Sequence, residues 1–299
     1  MTCEKRLVVA TRIRLAAKMD QASYQIRPML REEIDLAIEW AAREGWNPGL
    51  HDAEAFHAAD PAGFLVGLLD GVPVATLSAV RYGANFGFMG FYIVDPAHRS
   101  RGYGLQLWKA GLTHLAGRNI GLDGVLAQQG NYQKSGFKLA YRNIRFEGKA
   151  ISQTSSTPGI TDASMLPFEL LETYDRRLFP ADRTMFLQRW LGQPDARVLA
   201  IIERQELRGY GMIRPCRSGY KIGPLLADDE TLASALFNAL AHGLDGPVFL
   251  DVPEPNPAAV ALAEKNGMTA VFETARMYTR EAPRLPLEKV FGVTSFELG

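Results

Sequence analysis

The sequence predicts an α/β (α+β) protein of two tandem domains, each built on a mixed sheet flanked by helices. Three observations predict it. The length of 299 residues exceeds one ordinary core and suits two of about 130–150 residues. Strand-like runs alternate with amphipathic helical ones along both halves. A stretch rich in Ser, Thr, Gly and Pro falls at residues 149–162, and the elements after it repeat the later part of those before it. The expected plan is an extension over 1–21, a first domain over 22–148, a linker over 149–162 and a second domain over 163–299.

Composition narrows the function classes. Hydrophobic residues make up 47% and charged residues 22%, as in an ordinary folded soluble chain. Lys plus Arg equals Asp plus Glu at 33 each, and no basic-aromatic cluster stands out, so neither nucleic acid nor a membrane surface is an expected partner. The two cysteines, Cys3 and Cys216, have no metal-ligand spacing and cannot build a disulfide framework. No metal is expected, and a reducing, cytoplasmic setting is. Residues 1–20 carry Lys5, Arg6, Arg12, Arg14 and Lys18 around one short apolar run, Leu7–Ala10, which is too short for a secretory signal. They read as a disordered extension or an upstream start with Met19 as the true one, a transit peptide being the alternative.

In the first half, Tyr24–Pro28 reads as a strand and Glu32–Arg43 as a helix with Ile34, Ala37, Ile38 and Ala41 on one face. Asp52–Ala59 offers a second helix after the breaker Gly45-Trp46-Asn47-Pro48-Gly49. Asp70-Gly71 between two apolar runs marks a hairpin of Gly63–Leu69 with Val72–Ala79. Phe86–Val94 is apolar on both faces, as a central strand is. A helix over Tyr103–Gly117, a strand over Gly124–Gln128, a helical turn at Asn131–Ser135 and a strand over Phe137–Phe146 follow.

The stretch between central strand and helix is the most informative. Arg99-Ser100-Arg101-Gly102-Tyr103-Gly104 places two glycines at a helix start, where backbone N–H groups can approach an anion. Arg99 and Arg101 add charge. The spacing differs from the dinucleotide fingerprint, which needs a third glycine and a downstream acid. After the next strand comes Asn131-Tyr132-Gln133-Lys134-Ser135-Gly136-Phe137. With both motifs in this order, residues 22–148 resemble the GNAT superfamily of N-acetyltransferases.

That resemblance implies a splayed central sheet and acetyl-CoA as co-substrate. The pantetheine arm would lie along Tyr92, Ile93 and Val94, the pyrophosphate on Arg99–Gly104, with Asn131 nearby. Tyr132 would serve as the acid toward the CoA sulfur, and a small-molecule amine or amino-acid-like acceptor would attack the thioester directly. Phenol has a pKa of about 10 and a thiol about 8.5, so full proton transfer is uphill by roughly 2 kcal/mol and Tyr132 acts chiefly as a hydrogen-bond donor. An alkylamine is only about one part in a thousand neutral at pH 7, a cost of roughly 4 kcal/mol that a base should meet. No Asp or Glu occurs from Gly71 through Val94, on or beside the central strand. Glu44, Asp52, Glu54 or an acid from the second domain must supply it. Trp46 and Asn47 are candidates for the acceptor side.

The second half reads as helical over Leu166–Leu191 with a break at Phe179-Pro180, then strands at Arg197–Glu203, Tyr210–Arg214 and Tyr220–Leu226. A helix at Glu230–Leu244, a strand at Val248–Val252 and a helix begun by Asn256-Pro257 and ended by Gly267 complete it. This half is similar to a degenerate GNAT-like domain. It lacks the glycine loop and the tyrosine, and Asp228, Asp229 and Glu230 put negative charge where phosphates would lie. It is expected to bind no CoA and to face the acceptor, with Arg214, Lys221, Asp251, Glu254 and Arg276 as candidate acceptor contacts or, alternatively, interdomain ion pairs. A non-catalytic protein that binds CoA or a metabolite for regulation is the competing function.

Overall fold

The computed structural model describes residues 23–149 and 159–299. The expected extension over 1–21 lies outside the described residues, as do positions 150–158 of the expected linker. The first half runs β1 (Tyr24–Pro28), α1 (Ile34–Arg43), α2 (Asp52–Ala59), β2 (Phe64–Leu69), β3 (Val72–Tyr82), β4 (Phe86–Val94), α3 (Tyr103–His114), β5 (Asn119–Val125), α4 (Gln129–Lys134) and β6 (Lys138–Lys149). The second half runs β7 (Ile160–Asp162), α5 (Phe168–Asp175), α6 (Thr184–Leu191), β8 (Arg197–Glu203), β9 (Glu206–Pro215) and β10 (Tyr220–Ala227). It continues with α7 (Glu230–Ala241), β11 (Pro247–Pro253), α8 (Pro257–Lys265), β12 (Thr269–Tyr278) and β13 (Val290–Gly292).

Local chemistry accounts for most boundaries. Helix α1 buries Ile34, Ala37, Ile38 and Ala41, the face its periodicity specifies. Asp70 and Gly71 both have positive φ, 50° and 83°, as a tight turn matched to strand twist requires. The Asn256 side chain accepts from the Ala259 N–H and opens α8. Thr269–Tyr278 and Val290–Gly292 are strands not expected from the sequence, and other bounds shift. Strand β5 begins at Asn119, not Gly124, and 126–128 form a short 3-10 turn. Ile160–Asp162, expected within the linker, is a strand paired with β8.

Among the described residues, all 13 strands join one sheet, ordered β1-β2-β3-β4-β5-β12-β6-β11-β10-β9-β8-β7, with β13 on β10. The centre of this order exchanges strands between the halves. Strand β12, from the second half, pairs with β5 of the first, and β6 of the first half pairs with β11 of the second. A division of the sequence near residue 150 therefore does not divide the sheet.

The two halves share core as well. Phe56 of α2 stacks on Trp190 of α6, with ring centroids 5.8 Å apart, and Phe91 meets Phe56 edge-on. Full burial of side chains of this size contributes roughly 1.5–3 kcal/mol each. Three buried arginine–aspartate pairs also cross between halves. Arg214 Nε lies 2.7 Å from Asp52 Oδ1, Arg145 Nε 2.6 Å from Asp251 Oδ1, and Arg276 Nη2 2.6 Å from Asp123 Oδ2.

Each half contains a parallel strand pair that parts. Strands β4 and β5 pair from Phe86↔Asn119 to Met89↔Leu122 and no further. In β4 the register against β3 slips between Thr76↔Ile93 and Ser78↔Gly90, and Phe91 has a φ of 48°. This bulge turns the end of β4 away from β5. Strands β10 and β11 likewise pair only from Tyr220↔Val248 to Ile222↔Leu250. There the gap is filled: β13 pairs with β10 at Leu225↔Gly292 and Leu226↔Val290, and Val293 N–H donates to Asp251 O at 2.8 Å.

Candidate active site

The open gap between β4 and β5 leads into a cavity of about 590 Å³. Its walls include Met89–Val94 of β4, Leu122–Val125 of β5, the loop before α3, and Asn131 and Tyr132 of α4. Of the residues singled out from sequence, Trp46, Tyr92, Ile93, Val94, Arg99, Ser100, Gly102, Tyr103, Gly104, Asn131 and Tyr132 line it together. Arg101 does not, and is exposed to solvent.

The loop owes its shape to two left-handed residues, Ser100 at φ 63° and Gly102 at φ 83°. Gly102 precedes α3, and no side chain caps the helix, so its first N–H groups remain available to an anion at the positive end of the dipole. The two glycines serve different needs. A Cβ on Gly102 would meet nothing within 4 Å, so its role is its backbone conformation. A Cβ on Gly104 would lie 2.7 Å from Tyr92 Oη and from Val94 Cγ2, so its role is close packing of α3 on β4. Arg99 donates from Nε to Val94 O at 2.9 Å and pairs with Glu44, which ties the loop to the end of β4.

Tyr132 is positioned by Gly124, where a Cβ would come within 2.3 Å of the tyrosine ring, and by Trp108, whose ring centroid is 5.5 Å away. Trp108 is held in turn by Nε1 donating to Ser135 Oγ at 3.0 Å. Among the described residues the Tyr132 hydroxyl has no hydrogen-bond partner, nor is it one of the sealed, unpartnered side-chain atoms, so it opens onto the cavity. Burial, with a smaller contribution from Tyr92, pushes its pKa up to about 12. It is a neutral donor at physiological pH. Asn131 donates to Gln128 Oε1 at 2.7 Å beside it.

The candidate acceptor contacts of the second half go elsewhere. Arg214 and Arg276 are committed to Asp52 and Asp123 and offer no free fork for a carboxylate. Asp251 accepts both Arg145 Nε and Nη2, at 2.6 and 2.7 Å. Burial alone would raise Asp251 and Asp52, but the guanidinium beside each outweighs it and holds both carboxyls below the usual range. Lys221, its pKa lowered by burial and then by Arg145, donates to Asn47 O at 2.9 Å. The Asn47 side chain bonds Ser218, and Glu254 is exposed away from the cavity. Of the charged set expected to face the acceptor, Arg214, Lys221, Asp251 and Arg276 thus fasten the halves together. Of the first-half candidates for a base, Glu44 pairs with Arg99, Asp52 with Arg214 and Glu54 with Arg31.

Sequence reasoning did not single out the opposite wall: Asp123, Arg145, Phe272, Thr274, Phe296 and Glu297. Most belong to the exchanged strands or the C-terminal segment, and nothing local in the sequence marks them. Among the described residues, no group of three or more His, Cys, Asp or Glu could hold a metal ion, and no helix is long and apolar enough to cross a membrane.

Fold and cleft together define an acyltransferase with two GNAT domains in tandem. Residues 30–137 match the acetyltransferase (GNAT) family and residues 171–292 a second acetyltransferase (GNAT) domain. Holothin acyltransferase of Pseudoalteromonas sp. (strain SANK 73390) is 30% identical over 282 residues, covering 94% of this chain and 96% of that protein. The chain belongs to the GNAT acyltransferase family. A putative acetyltransferase from Pyrococcus horikoshii has the same fold, with a TM-score of 0.79 and 21% identity over 92% of this chain and 96% of that one. A tandem GNAT protein from the clavulanic acid biosynthesis pathway aligns with a TM-score of 0.60 and 14% identity, covering 87% of this chain and 100% of that one.

Proposed function

We propose that this enzyme transfers an acetyl group from acetyl-CoA to the amino group of a small molecule by direct attack on the thioester. The observation that carries the reading is a single cavity bounded by an uncapped helix start, two parted strands and an unpartnered neutral phenol. Phosphates suit the helix start, an extended amide-bearing arm suits the exposed strand edge, and the thioester then falls near Tyr132. The nitrogen bonds to the carbonyl carbon, the C–S bond breaks, and the Tyr132 hydroxyl donates to the departing sulfur. The relative that acylates holothin supports a small-molecule acceptor. Among the described residues the one cysteine, Cys216, is buried, and burial pushes its thiol up, so the reading invokes no cysteine nucleophile.

Two measurements on Tyr132→Phe test this. Acetyl-CoA at 100 times its dissociation constant should stabilise wild type and variant alike by about 2.7 kcal/mol, read as a rise in Tm. Turnover of the variant, followed as CoA thiol release, should fall roughly ten- to a thousand-fold. Stabilisation of both without any turnover by wild type would favour the regulatory reading. Absence of stabilisation in wild type would overturn the acetyl-CoA reading.

A further inference from the structure

The cavity described above contains one carboxylate with no task assigned. Residues Val290–Gly299 are buried throughout. After filling the gap between β10 and β11 they continue toward the first half. Arg183 fastens the segment, donating to Thr294 Oγ1 at 3.0 Å and to Gly299 O at 3.2 Å, while Asp175 holds Arg183 in a buried pair. Tyr82 Oη donates to Leu298 O at 3.2 Å. Between these anchors lie Phe296 and Glu297, both in the cavity wall.

The backbone of Glu297 rests directly on β4. A Cβ on Gly90 would come within 2.2 Å of Glu297 O, so Gly90 is what lets the segment reach the point where β4 and β5 part. Glu297 is only 5% exposed, yet among the described residues its carboxylate has no ion-pair or hydrogen-bond partner. Its oxygens are not among the sealed, unpartnered side-chain atoms either, which leaves them open to the cavity. A buried carboxylate without a partner is costly, and a ligand cation is one means of repaying it. The neighbouring cations each have another partner, Arg145 in Asp251, Arg214 in Asp52 and Lys221 in the carbonyls of Trp46 and Asn47, although Arg214 keeps a buried Nη1 with no hydrogen-bond partner among the described residues. Trp46, Phe272 and Phe296 give the same cavity a partly apolar wall, where the Arg145 guanidinium lies 4.8 Å from the Phe296 ring centroid.

We propose that Glu297 receives the ammonium group of the acceptor and takes its proton, so that the C-terminal segment supplies the base that β4 lacks. This rests on the acetyl-transfer reading of the same cavity. The acceptor is then a primary amine that is an ammonium in solution. Of the two protons its ammonium loses, one passes to Glu297 and on to solvent. The other ends on the CoA sulfur by way of Tyr132, as the N–C bond forms and the C–S bond breaks.

The test compares wild type with Glu297→Gln, which keeps the side-chain shape, and Glu297→Asp. Each full-length protein is assayed for CoA thiol release with acetyl-CoA and two probe amines: phenethylamine, an ammonium at pH 7, and aniline, already neutral there. Thermal shifts with CoA plus phenethylammonium chloride are measured alongside. Glu297→Gln should lower turnover of phenethylamine on the order of 10²–10⁴-fold. Its turnover of aniline should fall less than about tenfold, its acetyl-CoA shift should be unchanged, and Glu297→Asp should recover part of the loss. Phenethylammonium should stabilise wild type and not the Gln variant. Equal losses with both amines, or an altered Tm as the sole effect, would make Glu297 a structural charge near Lys221. If acetyl-CoA stabilises wild type but phenethylammonium neither stabilises it nor is acetylated, the proposal fails while the acetyl-CoA reading stands. If acetyl-CoA itself gives no shift, the underlying reading has failed.

Discussion

The two halves carry the same parting strand pair and use it in opposite ways. Beyond Met89 and Leu122 the first half leaves its gap open, whereas beyond Ile222 and Leu250 the second fills it with Val290–Gly292. The following helices differ in the same sense. Helix α3 starts at Gly102 with no side-chain cap, while at α7 the Asp229 carboxylate accepts from Leu232 N–H at 3.0 Å. A helix start that already holds a carboxylate repels a second anion and has fewer donors to offer it. The fold therefore keeps one cleft for ligand and converts the other into a frame. Because the segment that fills the second cleft continues into the wall of the first, the frame and the site are parts of one structure.

Separating the halves should break that relationship most severely. Residues 23–149 alone lose β12 from beside β5 and Trp190 from the shared core. They should show no cooperative thermal transition by circular dichroism. A folded fragment with a native-like Tm would mean that the strand exchange is dispensable.

A smaller but sizeable effect is expected at the pairs that join the halves. Arg214→Met strands the buried Asp52 carboxylate and should cost about 3–5 kcal/mol in urea unfolding. Changing Asp52→Asn together with Arg214→Met should recover part of it, because no uncompensated charge then remains. Equal losses in single and double variants would contradict the charge argument.

The gentlest contrast is at the capped helix. Asp229→Ala should lower stability by about 1 kcal/mol yet leave acetyl-CoA affinity unchanged. A change in affinity would place the second half in contact with the donor. The pH profile sharpens the other side of the comparison. With the Tyr132 pKa raised to about 12, the phenol keeps its proton as pH rises and loses it only near that value. Turnover should therefore show no fall assignable to Tyr132 between pH 7 and 10, measured as kcat at saturating substrates. A descending limb in that range absent from Tyr132→Phe would contradict the burial of the hydroxyl.

Much of the open half was legible in the sequence because its signals are local. Gly102 and Gly104 before an amphipathic helix, and Tyr132 before Gly136-Phe137, act through their own backbone neighbourhood. Strand exchange was not legible: the pattern of β6 marks a strand but not its partner, and β12 was not read as a strand at all. Strand β5 was read from Gly124 and so too late, because Asn119 and Gly121 weaken the pattern of its first residues. Arg214, Asp251 and Arg276 stood out in the sequence as candidate acceptor contacts or, alternatively, interdomain ion pairs. Their partners Asp52, Arg145 and Asp123 lie far away in the chain, and only the folded sheet reveals the pairing. Thr294, Ser295 and Glu297 carry polar side chains that suit a surface, yet all are buried.

The central claim is that one cleft binds the acyl donor and the other cannot. Isothermal titration of the full-length protein with acetyl-CoA measures this directly. One site per chain is expected. Gly104→Val should abolish or strongly weaken it, since its side chain would press on Tyr92 and Val94. Asp229→Ala should retain one site of unchanged affinity. Two sites per wild-type chain, or one site that survives Gly104→Val and is lost in Asp229→Ala, would contradict the account.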